Sequence, residues 1–184
     1  MKRTRIAIKL TVFIFLVVSC AGSFLPSVFA ADEATEIKAK YAKLLADYSQ
    51  FVLHPTAKSP SATEFALKNN MVSKELAGLL RKDGELAKKE GGMGYLDFDF
   101  LVNGQDLCKP VKIVEVVKDK AAYIMQASNR SRECCKDCDE NPYFFVLVNE
   151  SGAWKIDDVR YSFKDDSGTE QKFFLKDILN GKVD

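Results

Sequence analysis

Between Trp154 and Phe163 the apolar residues of one continuous stretch change parity. Trp154 and Ile156 share one face of an extended chain, whereas Val159, Tyr161 and Phe163 fall on the other. A one-residue slip carries every later side chain across the sheet. Both sets can therefore face one core only if a residue bulges out at Asp157-Asp158. That demand fixes a long, bent strand late in the chain, around which the other elements must be arranged.

The neighbouring segments supply its partners. Val111–Lys118 and Ala121–Ser128 are apolar or β-branched stretches joined at Lys118-Asp119-Lys120, a hairpin pattern. Tyr143–Val148 is continuously apolar, which predicts a strand buried on both faces, and Asn149-Glu150-Ser151-Gly152 turns it into Ala153–Phe163. Upstream of Gly94 the period is helical instead. Ile37, Tyr41, Leu44, Leu45, Tyr48, Phe51 and Val52 mark a helix over 34–53, ended by His54-Pro55. Ser61-Ala62-Thr63-Glu64 is a capping box for a short helix through Lys68, which breaks at Asn69-Asn70. Ser73 caps a third helix from Lys74 to about Lys89, stopped by Gly91-Gly92, and Gln171–Asn180 reads as a closing helix ended by Gly181. Helices first and a strand meander second define an α+β class. The expected form is a curved antiparallel sheet wrapping N-terminal helices, cone-shaped with a concave face.

The first thirty residues read as an address. Lys2, Arg3, Arg5 and Lys9 precede 21 uncharged residues, Leu10 to Ala30, which end in Pro26 and the small-residue pattern Ser27-Val28-Phe29-Ala30. That is a secretory signal peptide over 1–30, cut after Ala30, with Pro26 expected to leave the cleavage segment extended. Two other endings compete. Val17-Val18-Ser19-Cys20 resembles a lipobox, which would make 1–19 a lipoprotein signal and Cys20 the lipidated residue. An uncleaved anchor is also long enough to span a bilayer. In each case the remainder, 31–184, is expected to be a single α+β domain in an exported protein, periplasmic or secreted. After cleavage it carries 23 basic against 26 acidic residues. A mildly acidic domain has no electrostatic reason to bind nucleic acid, and membrane contact is expected only through a lipid at Cys20 or an uncleaved signal.

Export also decides how the cysteines are read. Cys108, Cys134, Cys135 and Cys138 form an even set in an oxidising compartment, so two disulfides are expected. Bonding between the neighbours Cys134 and Cys135 is geometrically disfavoured. Cys108–Cys134 with Cys135–Cys138, and Cys108–Cys135 with Cys134–Cys138, both remain open. Zinc and thioredoxin-like chemistry are the sharper alternatives for Cys135-Lys136-Asp137-Cys138, but no second C-x-x-C follows and the motif lies in a polar loop.

Three longer phrases carry a resemblance: YLDFDFLVNGQD (Tyr95 to Asp106) with the following VKIVEVVKDKAAYIM, WKIDDVRY (Trp154 to Tyr161), and SATEFALKNNMVSKELAGLL (Ser61 to Leu80). Over roughly residues 35–180 the chain resembles the nuclear transport factor two-like (cystatin-like) superfamily. More narrowly, it is similar to the YbjP-like bacterial family of exported proteins and lipoproteins of unknown function. The superfamily includes enzymes with Asp and His in a conical pocket and many binding proteins without activity. No catalytic residue set carries over from the YbjP-like branch, and the CCKDC loop departs from it.

The chemistry-bearing candidates are few. Asp97, Asp99 and Asp106 with Asn103-Gly104 suggest calcium, but the spacing fails the EF-hand pattern, and a turn whose side chains satisfy backbone N–H groups is the expected role. Asp157 and Asp158 are the weak catalytic candidates, because a bulge can turn a carboxylate towards the concave side, with His54 or Tyr161 as the guessed partner. The competing reading leaves both on the solvent rim. H-E-x-x-H, G-x-S-x-G, P-loop and G-x-G-x-x-G motifs are absent from the sequence, and Gly91-Gly92-Met93-Gly94 follows a helix rather than opening one. No cofactor and no metal are expected. The leading expectation is a non-enzymatic envelope module binding a protein or small ligand. A conical-pocket acid/base enzyme and an immunity or inhibitor protein against an envelope-acting toxin are the alternatives.

Overall fold

Local sequence sets the helices of the computed structural model, which describes residues 26–92, 94–104, 107–134, 142–164 and 167–182. Helix α1 spans Pro26–Leu53 and buries Ile37, Tyr41, Leu45 and Tyr48 on one stripe at three- and four-residue intervals. Its start corrects the sequence reading: the segment after Pro26 is helical rather than extended. Proline is tolerated at the first helical position, where its missing N–H has no intrahelical partner. Helix α2 (Ala62–Lys68) carries the full capping box between Ser61 and Glu64, and α3 (Lys74–Glu90) is capped by the Ser73 hydroxyl and ended by Gly91 in the left-handed region.

Five strands follow, β1 (Lys112–Asp119), β2 (Ala122–Ser128), β3 (Tyr143–Glu150), β4 (Ala153–Lys164) and β5 (Glu170–Phe174), paired antiparallel in sequence order as an open sheet. A short 3₁₀ turn, Ser131–Glu133, lies between β2 and β3. The register lines up three rows on the inner face. They are Ile113–Ala127–Tyr143–Tyr161–Phe173, Val116–Met125–Phe145–Val159 and Lys118–Tyr123–Leu147–Ile156. The β3–β4 register steps between Val146 and Leu147, which leaves Asp157 unpaired between Ile156 and Asp158. The bulge therefore stands where the parity of the sequence required it, and Ile156, Val159 and Tyr161 all reach the core.

Two strand readings change. In β3 only Tyr143, Phe145 and Leu147 are fully buried, while Phe144, Val146 and Val148 on the outer face are half-buried, because the helices cover one side of the sheet. The C-terminal segment is not one helix: Glu170–Phe174 pairs with β4 as β5, and only Leu175–Leu179 is helical, as α4. A short apolar run such as Phe173-Phe174-Leu175 fits either period, and the open edge of β4 decides it.

Contacts distant in sequence fasten the helices to the sheet. The Glu33 carboxylate in α1 accepts from Trp154 Nε1 at 2.8 Å and Tyr123 Oη at 3.0 Å. Those two bonds, with Lys118 behind them, hold its pKa below the usual carboxylate range. Tyr41 donates to the carbonyls of Met71 and Trp154, and the buried Ser49 hydroxyl accepts the Val111 N–H at 3.1 Å. Met71–Ser73 runs beside β4 as a parallel bridge, with Ser73 N to Ile156 O at 2.7 Å and Ile156 N to Met71 O at 2.8 Å. This loop covers the β4 edge before the bulge and β5 covers it after. The opposite edge, β1, is blunted by its own bulge at Val114, whose carbonyl accepts from Lys38 Nζ at 2.7 Å. Between α3 and β1, Asp99 and Gly104 close a loop that pushes Phe100, Leu101 and Val102 into the core. Gly94 precedes it, where a Cβ would stand 2.3 Å from the Asp83 carboxylate and 2.8 Å from its backbone oxygen.

Candidate functional site

The bulge at Asp157 brings β4 against the start of α4. Asp158 Oδ1 accepts the Lys176 N–H at 3.0 Å and the Val159 N–H at 2.8 Å, so a strand residue caps a helix whose own first position, Phe174, offers no capping side chain. Burial raises the Asp158 pKa, against the opposing pull of those two amides and of the Lys176 charge. Asp157 Oδ2 meets Lys176 Nζ at 2.8 Å, and the same ammonium reaches Glu75 Oε2 at 2.9 Å. Burial pulls Lys176 down, but the two carboxylates outweigh it and its pKa is raised. Both aspartates thus join β4, α4 and α3. Neither guessed partner is hydrogen-bonded to them: His54 is exposed just past the end of α1, and the Tyr161 hydroxyl is buried without a hydrogen-bond partner among the described residues.

Beside this joint the inner face ends in an aromatic cleft of about 270 Å³. Phe98, Tyr161, Phe163, Phe173 and Ile178 wall it, with Asn103 and Gly104 at one side. Phe163 and Phe173 stack with centroids 5.1 Å apart and planes 2° from parallel, and Phe98 meets Tyr161 edge-on at 5.1 Å. Phe163 remains 42% exposed, an unusual position for a ring that shares the core-facing parity of β4.

A polar cluster lies within the core beside it. Tyr48 donates to Asp99 Oδ2, Leu101 N donates to Asp99 Oδ1 at 2.9 Å, and Tyr143 donates to the Leu101 carbonyl at 2.9 Å. Burial raises the Asp99 pKa, opposed by the Tyr48 hydroxyl and the amides of Leu101 and Val102. Burial also drives Tyr161 well above the ordinary phenol value, reinforced by Tyr143, Asp158 and Asp99. A carboxylate raised in the fold contributes stability below its unfolded value, near 3.8, and loses that contribution as pH rises through the folded value. Asp99→Asn keeps the acceptor for Leu101 N–H but cannot ionise. Its stability relative to wild type is therefore expected to improve from pH 3 to pH 7, as read by urea denaturation at both. A difference that stays flat with pH would contradict the buried-charge reading.

Asp97 is exposed, Asp99 serves the turn just described, and Asp106 lies outside the described residues. Among the described residues, no group of three His, Cys, Asp or Glu side chains is placed to hold a metal ion. Cys108 and Cys134 are paired as a disulfide with Cα atoms 6.3 Å apart, which selects the first of the two connectivities for this pair. Cys135 and Cys138 lie outside the described residues, as does Cys20. A more polar cleft of about 370 Å³ opens at the start of α3 beside Lys74, Arg81 and Lys155. Its helix end is already occupied, because Glu150 accepts the Lys74 N–H at 3.0 and 3.2 Å. No helix among the described residues is long and apolar enough to cross a membrane.

Sequence reasoning missed the aromatic cleft, which needs Phe98, Phe163, Phe173 and Ile178 from four separate segments. The only local signal was Phe163 continuing the inward parity of β4 past the last residue the core requires. No protein-family model, curated protein or solved structure matches the chain.

Proposed function

We propose that this is an exported, non-enzymatic binding module, cut after Ala30, that holds an apolar, ring-bearing ligand in the aromatic cleft. The sheet is read as a cone of the nuclear transport factor two-like kind, with the cleft at its mouth, in keeping with the YbjP-like resemblance. The observation that carries the reading is the exposed Phe163–Phe173 stack. It presents apolar ring surface to solvent inside a concavity, which is how small-ligand sites are built. The acid/base alternative gains no comparable support, since Asp157 is engaged by the Lys176 ammonium and Asp158 by the amides of Lys176 and Val159.

Titration with the neutral fluorophore N-phenyl-1-naphthylamine tests this. Wild type is expected to enhance its emission saturably. Phe163→Ser, which removes one wall, is expected to weaken binding about tenfold or more, in line with the roughly 1.5–3 kcal/mol of a buried aromatic contact. Equal affinity in Phe163→Ser, or no saturable binding by wild type, would count against the cleft.

A further inference from the structure

On the outer face of the sheet one arginine has no ion-pair partner among the described residues. One cross-strand row on that face reads Glu115, Gln126, Phe144, Arg160, Phe174 from β1 to β5. Arg160 lies over the Phe174 ring at 5.4 Å, beside Phe144 on the neighbouring strand. Its Nε is buried and has no hydrogen-bond partner, and no ion pair forms at its guanidinium among the described residues. Buried donors are almost always satisfied, so an arginine held by ring packing alone calls for a reason.

The acids described on this face do not supply it. Asp158, two residues along the same face, directs Oδ1 at the amides of Val159 and Lys176. Glu115 stands three strands away, about 14 Å at the usual interstrand spacing. What remains is a half-buried guanidinium, pre-oriented by aromatic packing and flanked by two half-exposed rings. Arginine presents a planar donor fork that matches a carboxylate, and the rings offer apolar surface on either side.

We propose that Arg160, Phe144 and Phe174 form a binding site for small aromatic carboxylates on the outer face of the sheet. The carboxylate takes the guanidinium fork and the ligand's ring lies over a phenylalanine. This site is separate from the aromatic cleft: Arg160 and Tyr161 are successive residues of β4 and face opposite sides of the sheet. It does not depend on the proposed function.

Amide and side-chain chemical shifts of the full chain, followed during titration with phenylacetate, test it. Saturable shifts are expected at Phe144, Arg160 and Phe174, with a dissociation constant of order 1 mM. Phenylacetamide, the same ring without the charge, is expected to give none. Arg160→Gln, checked for an intact fold by its spectrum, is expected to lose the response, and Arg160→Lys to weaken it about tenfold or less by keeping charge without the fork. Absence of saturable shifts at these residues in wild type would overturn the proposal. So would equal shifts with phenylacetamide, or a response retained in Arg160→Gln.

Discussion

Deleting Asp157 is expected to cost the chain its native sheet, whereas Asp157→Ala leaves the fold standing. The deletion restores strict alternation along β4, so that either Trp154 and Ile156 or Val159 and Tyr161 must leave the inner face. Val159 and Tyr161 are 0% and 6% exposed, opposite Phe145 and Tyr143. Turning both outward forfeits roughly 1.5–3 kcal/mol each and strands Asp158 away from the Lys176 amide at the start of α4. The total is about 4–7 kcal/mol with the lost cap included, comparable to the whole stability of many domains. Asp157→Ala keeps the residue count and loses only its ion pair with Lys176, about 1 kcal/mol for a partly screened contact. Circular dichroism and urea denaturation of the two variants check this. A deletion variant that melts like wild type would mean that the bulge is not what reconciles the two parities.

The second large effect concerns the bond between Cys108 and Cys134. It closes a separation of 26 residues that encloses the whole β1–β2 hairpin. Loop-closure entropy for such a ring corresponds to about 3.5 kcal/mol, in a model where the cross-link acts on the unfolded chain. Cys108→Ser combined with Cys134→Ser is therefore expected to lower stability by about that amount. Intact mass and peptide mapping of the oxidised full chain, before and after reduction and alkylation, check the pairing alongside the denaturation curve. Thiols at Cys108 and Cys134 that alkylate only after reduction are the expected result. Thiols at Cys108 and Cys134 that alkylate without reduction would contradict the bond.

The parts of this fold legible in the sequence are those that short-range physics dictates. The Ser61–Glu64 capping box, the Ser73 cap and the Gly91 terminus each involve groups a few residues apart. The Ser151-Gly152 turn, with both residues at positive φ, is similarly local. The bulge was legible for a different reason: Ile156 and Val159 cannot both face one core without it. What stayed hidden depends on partners distant in sequence. Glu33 and Trp154 are 121 residues apart, and nothing in either neighbourhood marks the bond. The strand β5 looked helical because its preference is settled by the edge of β4. The aspartates at the bulge are legible as candidates, but their engagement by Lys176 is not, since that lysine lies on α4, which follows β5 along the edge of β4. The aromatic cleft is hidden for the same reason, being a property of four segments meeting.

The most direct test of the binding reading is the set of intermolecular nuclear Overhauser contacts between the full chain and bound N-phenyl-1-naphthylamine. The expected result is contacts from the ligand's rings to Phe163, Phe173 and Ile178. Contacts confined to other exposed apolar residues, such as Phe51, Tyr95 or Val117, would contradict it.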